Sequence, residues 1–357
     1  MNTKPNLTRR SVITQAALSL LIASSGITAL HAQAPASVNS ISVPSGNRNL
    51  PGFLYRPAGD GPFPAVVVMH GSGGFWSNDN PANGMLNHLQ EWGTLLQSNG
   101  YLALFIDSYT PRGIPGDFKK KRPCFDAAWD DALCSPAYER TKDAYAALAW
   151  LRNTANNVPV VPNRIGLLGF SQGGETALAS VVSSTVSRTW KVSSATAWQV
   201  DANNQIVMQD GAPKALTTSM VTVPAPHKPV ADANGFASVV AFYPGCGFYS
   251  YFGSTTSAAT ADCYMPYAPT LVLHGTVDSL WTSGQPTLLF NKAVAEAATL
   301  NRTSPMSMIQ YVGADHSFDM VTMAPQNLWN STSETADQYA KRVGRDDAMA
   351  HFNATLR

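Results

Sequence analysis

Short apolar runs of strand length alternate along the chain with longer stretches whose apolar residues recur at helical spacing. The runs fall at 41–43, 50–55, 64–69, 101–106, 165–170, 237–243, 270–273 and 306–312. Helical periodicity falls between them at 85–97, 138–152, 175–182 and 286–300, and from about 334 to 356. The first of these helices stops at Asn99-Gly100, a good C-terminal signal. Continuous β-branched runs suit strands buried on both faces. Strand alternating with helix therefore predicts an α/β fold, with a mostly parallel central sheet and helices on both faces. The chain shows no internal repeat.

Two segments break the alternation. Residues 111–136 read as loop and carry the basic run Lys119-Lys120-Lys121-Arg122. Residues 184–235 are polar and threonine-rich, with strand candidates at 189–192, 197–200 and 205–208. Asn203-Asn204 is a candidate hairpin turn between the last two. A structureless loop of that length is unusual in a compact domain, so the segment is expected to be a small β-containing lid or arm. A lid beside a site and a plain surface excrescence both fit.

Composition adds the compartment. Thr8-Arg9-Arg10-Ser11-Val12-Ile13 carries a twin arginine, followed by a mildly apolar stretch and by cleavage candidates after Ala32 or at Ala34-Pro35-Ala36. Residues 1–36 are expected to be a twin-arginine signal peptide, and 37–357 the mature domain of a periplasmic or secreted bacterial protein. No other segment is long and apolar enough to span a bilayer, so no membrane is expected as partner of the mature form. Net charge is +1 with 13% charged residues, which gives no electrostatic reason to expect nucleic acid. An even count of four cysteines in an exported chain suggests two disulfides. Local pairing, Cys124 with Cys134 and Cys246 with Cys263, is preferred among three connectivities. No C-x-x-C spacing supports a metal site, and none is expected.

The chemistry centres on Gly169-Phe170-Ser171-Gln172-Gly173-Gly174. This G-x-S-x-G stands between a buried strand and a helix, the setting of a nucleophile elbow. Ser171 is the candidate nucleophile, and the Gln172 N–H is one candidate oxyanion donor. A serine needs a base, and the base needs an orienting acid, in the chain order Ser, acid, His. Asp278 follows the strand at 270–273, and His316 follows the strand at 306–312. Asp315 and Asp319 flank the histidine and compete to orient it. His70, His88, His227, His274 and His351 are rival bases, but only His316 follows both Ser171 and Asp278 on a glycine-bearing loop. His70 and His274 are expected to be structural hydrogen-bonders. The second oxyanion donor is expected from His70-Gly71-Ser72-Gly73-Gly74, with Ser72 preferred and Gly73 next.

On these residues the chain resembles the dienelactone hydrolase-like branch of the α/β-hydrolases. The resemblance takes in the His70 loop, Asp107-Ser108-Tyr109-Thr110-Pro111-Arg112-Gly113 and Asp143-Ala144-Tyr145-Ala146-Ala147-Leu148. It continues through the elbow, Val240-Ala241-Phe242-Tyr243-Pro244-Gly245-Cys246, and the Asp278 and His316 loops. It implies a cofactor-free hydrolase with Ser171, Asp278 and His316 as triad. Dienelactone hydrolase itself has a cysteine nucleophile. Ser171 therefore weakens the claim to that enzyme's lactone, and the 184–235 insertion lies outside the family core.

The expected reaction is hydrolysis of a carboxylic ester through an acyl-enzyme. The same machinery serves a second reading, carbon–carbon cleavage of a β-diketone, in the manner of hydrolases of oxidised polyvinyl alcohol. A third is a non-catalytic binding protein on a hydrolase scaffold. An intact Ser, Asp and His set argues against that one. Phe75, Trp76, Tyr109, Trp281 and Phe318 lie near the expected mouth and suggest an apolar or chain-like substrate, although aromatics as often simply pack. Oligomeric state is left open.

Overall fold

Apolar side chains on both faces of the same strands decide the architecture. The computed structural model describes residues 34–114, 136, 139–182, 190–198, 208–209, 212–213, 215–223, 234–244, 264–280, 285–330 and 332–357. Residues Ala34–Arg357 form one compact unit. Strands β1 (Ser37–Ser45), β2 (Arg48–Arg56) and β3 (Phe63–Met69) come first, then helix α1 (Asn87–Ser98) and strand β4 (Leu102–Ile106). Helix α2 (Glu139–Arg152), strand β5 (Val160–Phe170) and helix α3 (Gln172–Ala179) follow. Among the described residues of the insertion are the strands β6 (Trp190–Trp198), β7 (Met208–Gln209), β8 (Ala212–Pro213) and β9 (Ala215–Val223). The remainder is β10 (Ser238–Phe242), β11 (Thr270–Gly275), α4 (Gln285–Thr299), β12 (Met306–Tyr311) and α5 (Ala336–Leu356).

Eight strands form one sheet in the order β1-β2-β4-β3-β5-β10-β11-β12. β1 with β2 and β2 with β4 pair antiparallel; the other pairs are parallel. Side chains alternate across the sheet with period two. In β3, Val66 and Val68 face one layer while Ala65, Val67 and Met69 face the other. The first layer is α1 and α5, through Leu89, Trp92 and Leu96 and through Ala348, Phe352 and Leu356. The second is α2 and α3, through Ala144, Ala147, Leu148 and Leu151 and through Ala177. A strand covered this way has no polar face, which is why β4 is apolar and buried at every position. α5 starts with a capping box between Thr335 and Gln338.

The insertion departs from expectation. The described parts of the candidates at 189–192 and 197–200, residues 190–192 and 197–198, fall in one strand, β6, with a register shift between Val192 and Ala195. β6 pairs antiparallel with β9, a strand not anticipated at all. β9 is rich in β-branched residues, which favour a pleated strand without apolar alternation. Of 205–208 only Met208 is among the described residues, and it pairs with Pro213 in a two-residue ribbon. Asn203-Asn204, all four cysteines, Lys119 to Arg122, His227, Trp281 and residues 1–33 lie outside the described residues. Among the described residues no helix is long and apolar enough to cross a membrane. None of them forms a cluster of three or more His, Cys, Asp or Glu that could hold a metal ion.

Candidate active site

β5 ends at Phe170 and α3 begins at Gln172, so one residue makes the whole turn. That residue, Ser171, has φ 51° and ψ −116°. A non-glycine residue held there costs about 1–3 kcal/mol and persists only where its surroundings over-determine it. Its N–H donates to the Phe242 carbonyl at 3.0 Å, and its carbonyl accepts from the Glu175 N–H at 3.1 Å. The tight turn brings backbone against backbone. A Cβ on Gly169 would lie 1.9 Å from the Gly173 carbonyl oxygen, and a Cβ on Gly173 2.2 Å from that of Met69. Only glycine fits either position.

The Ser171 Oγ lies 2.9 Å from His316 Nε2, and His316 Nδ1 lies 2.9 Å from Asp278 Oδ2. The carboxylate accepts a hydrogen bond from Nδ1–H, which leaves Nε2 to accept from the hydroxyl. The structure thus brings together the three residues picked from chain order. Asp278 is buried, and its Oδ1 accepts from the Leu280 N–H at 3.0 Å.

Asp315 does not compete for the imidazole. It accepts from the N–H groups of Ser279 and His316, both at 2.6 Å, and so laces the loop after β11 to the loop after β12. Burial pushes its carboxyl up, but those N–H groups outweigh it and leave the pKa below the ordinary value. Asp319 does not compete either. It is fully buried and accepts from Trp92 Nε1 at 3.2 Å and from the Tyr243 hydroxyl. Burial, reinforced by Asp319, holds the Tyr243 phenol well above its usual pKa, so it stays a donor. The Tyr243 ring packs edge-on against His316, with centroids 4.9 Å apart.

Beneath the other side of Ser171, His70 is buried and neutral. Burial, then the Arg140 charge, pushes its pKa well below 6.5. Nδ1–H donates to the Gly71 carbonyl at 2.7 Å, and Nε2 accepts from the Ser108 N–H at 3.2 Å. Gly71 O also takes the Gly74 N–H at 3.2 Å. These bonds pin the peptide between Gly71 and Ser72. Its trans geometry then points the Ser72 N–H the opposite way. This loop runs against the elbow, since a Cβ on Gly71 would lie 3.3 Å from that of Ser171. His70 is therefore the structural hydrogen-bonder expected of it. His274 departs from that expectation: its buried Nδ1 is 3.7 Å from Asp278 Oδ2 and makes no hydrogen bond among the described residues.

Three of the five aromatic residues assigned to the mouth, Phe75, Tyr109 and Phe318, need correction. Phe318 is fully buried and Phe75 nearly so, both inside the α1–α5 core, because a ring on these loops gains more from the core than from water. Tyr109 is buried, with its hydroxyl donating to Gln172 Oε1. Trp76 is half-buried, and its Nε1 donates to Asp107 Oδ2 at 2.6 Å and Thr110 Oγ1 at 3.1 Å. Pattern reading missed Arg140. It is wholly buried at the start of α2, where Glu139, Lys142 and Asp143 make the window look like an exposed charged face.

Residues 50–197 match the model of the dienelactone hydrolase family. A Synechocystis protein that carries the name carboxymethylenebutenolidase is 25% identical over 145 residues, 38% of this chain and 49% of that one. The chain thus spans about half the length of that relative. Two solved structures are similar along nearly their whole length. One is a Klebsiella pneumoniae protein that carries the name dienelactone hydrolase: TM-score 0.51, 17% identity, 89% of this chain and 98% of that one. The other is a dienelactone hydrolase-like promiscuous phosphotriesterase from metagenomic libraries: TM-score 0.50, 17% identity, 90% and 99%. At that identity the two structures speak for the shared α/β-hydrolase fold.

Proposed function

We propose that this chain, which belongs to the dienelactone hydrolase family through residues 50–197, is a serine hydrolase of small carboxylic esters. The observation that carries the reading is the unbroken chain of contacts from Ser171 Oγ to His316 to Asp278, 2.9 Å at each step. The hydroxyl attacks the ester carbonyl carbon while its proton passes to His316 Nε2. The carbonyl oxygen becomes an oxyanion, held by the N–H groups of Gln172 and Ser72. His316 returns the proton to the departing alkoxide, and water resolves the acyl-enzyme by the same route reversed. Asp278 keeps the imidazole in the tautomer that accepts at Nε2. No cofactor has a role in this sequence of steps.

Two further parts of the reading rest on sequence. The twin arginine and the cleavage candidates that follow it support export, with 37–357 as the mature domain. The departure of residues 184–235 from the end of the nucleophile helix supports a lid.

The test is hydrolysis of p-nitrophenyl esters of short and long chain by the mature protein and by Ser171→Ala. An aliphatic β-diketone is run beside them. Ester turnover is expected to fall by at least about 10⁴-fold in the variant. Ester turnover that survives Ser171→Ala overturns the mechanism. Ser171-dependent cleavage of the diketone with no ester turnover would replace the ester with a carbon–carbon bond.

A further inference from the structure

An oxyanion hole built from two loops needs something to set the distance between them. One donor, the Gln172 N–H, opens α3; the other, the Ser72 N–H, lies on the loop after β3. β3 and β5 are hydrogen-bonded neighbours, which brings the loops side by side. One side chain reaches both. Arg140 Nη1 donates to Gln172 Oε1 at 3.0 Å, and Arg140 Nη2 donates to the His70 carbonyl at 2.6 Å.

We propose that Arg140 is a positioning residue for the oxyanion hole, fixing the α3 donor and the β3-loop donor at one spacing. The proposal rests on the reading of Ser171, Ser72 and Gln172 given above. A guanidinium suits the task because its two terminal nitrogens sit in one rigid plane at fixed separation. Its hydrogen bonds are charge-assisted and so stronger than neutral ones. The Gln172 amide is held from a second side by the Tyr109 hydroxyl. The Tyr109 ring lies under the guanidinium at 5.3 Å and packs edge-on against His70 at 4.6 Å. Arg140, Tyr109, Gln172 and His70 are all buried, so water does not offer these groups substitute partners. The clamp also acts by charge. A cation behind the two donors favours negative charge in front of them, and it disfavours a proton on His70. His70 must stay neutral to hold the Gly71 carbonyl and accept from Ser108.

A residue that merely packs lowers stability. A residue that spaces the hole lowers the affinity for the oxyanion while leaving ester binding alone. The test compares kcat and KM for p-nitrophenyl butyrate with Ki for a trifluoromethyl ketone of matched acyl length. Ser171 Oγ adds to that ketone carbon, its proton passes to His316, and the carbonyl electron pair becomes an oxyanion in the hole. Arg140→Met is expected to lower kcat by roughly 10- to 100-fold, below the cost of deleting a donor outright. Ki should rise by the same factor, with KM within about threefold. Arg140→Lys should recover part of both, and Tyr109→Phe should lose roughly two- to fivefold on both. Unchanged kcat and Ki in a folded Arg140→Met protein overturn the proposal. So does a loss confined to the titrated fraction of active Ser171. If Arg140→Met does not fold, Gln172→Met and Tyr109→Phe each remove one arm of the clamp, and the same parallel between kcat and Ki decides. Ester turnover that survives Ser171→Ala would sink the underlying reading of the site instead, a result none of these variants can produce.

Discussion

His316 and Asp278 stand on loops beyond β11 and β12, joined by a direct bond between their own side chains and by Asp315 at the surface. Ser72 and Gln172 stand over a sealed network in which Arg140, Tyr109, His70 and Asp107 hold backbone and one another. One half of the proposed site is assembled from side chains that contact Ser171 and His316 directly. The other is assembled from groups that never reach the substrate. The comparison teaches where each half is vulnerable. The base half fails when a member of the chain of contacts is changed. The oxyanion half fails when packing is disturbed, even far from Ser171.

The sharpest break on the base side is Asp278→Asn. The amide presents an N–H or a carbonyl to His316 Nδ1 and no longer selects the tautomer that accepts from Ser171. Turnover should fall by about 10⁴-fold, with little change in melting temperature, because the amide keeps the shape of the carboxylate. A drop under tenfold, measured as kcat on p-nitrophenyl butyrate, would assign the orienting role elsewhere.

The matching break on the other side is Gly173→Ala. The new methyl would meet the Met69 carbonyl oxygen at 2.2 Å and that of His70 at 2.6 Å, both backbone atoms that cannot swing away. Forced expansion of a packed site costs about 1–3 kcal/mol. Stability and activity should therefore fall together, unlike the Asp278→Asn result. A urea midpoint equal to wild type would show that the loop after β3 yields more easily than its contacts imply.

The same division governs what could be read from the sequence. The sheet was legible because strands covered on both faces leave unbroken apolar runs, as in β3 and β4. Ser171, Asp278 and His316 were legible because turn chemistry and chain order constrain them. β9 was not, since its threonines carry no apolar period and its partner β6 lies across the insertion. Phe75, Tyr109 and Phe318 were misplaced because an aromatic residue beside a motif looks the same in sequence whether it faces a pocket or the core. Arg140 was hidden for the opposite reason. A charge in a charged window reads as solvated surface, and only the fold shows α2 carrying it beneath the elbow. A short motif points to the groups proposed to react; the groups that hold them come from elsewhere in the chain.

Asp315 tests whether the surface lacing matters. Asp315→Ala frees the N–H groups of Ser279 and His316, but both loops are partly exposed and water can take over. The expected cost is about 1 kcal/mol, near fivefold in kcat/KM. An effect as large as that of Asp278→Asn would mean that the lacing, not the direct pair, sets the imidazole.

The smallest effect separates the halves by pH. Burial lowers the pKa of His70, His88, His274 and His351 below 6.5 in the folded protein. A histidine with a depressed folded pKa binds more protons when unfolded. Stability should therefore rise with pH through this window and be lost as pH falls below about 6.5, by at most about 1.4 kcal/mol per pH unit for each histidine. His70 and His274 should not share that slope equally. Asp278 lies beside His274 and favours its protonated form, partly offsetting burial. Arg140 adds to burial at His70. His70→Asn, whose amide can still donate toward the Gly71 carbonyl, should remove more of the slope than His274→Asn does. Urea unfolding at several pH values between 5 and 7 measures both. An unchanged slope in His70→Asn would mean that His70 takes up a proton as readily in the folded protein as in the unfolded chain. Once protonated, its Nε2 could not accept from Ser108, and the network beneath Ser72 would have to be redrawn around a second buried cation.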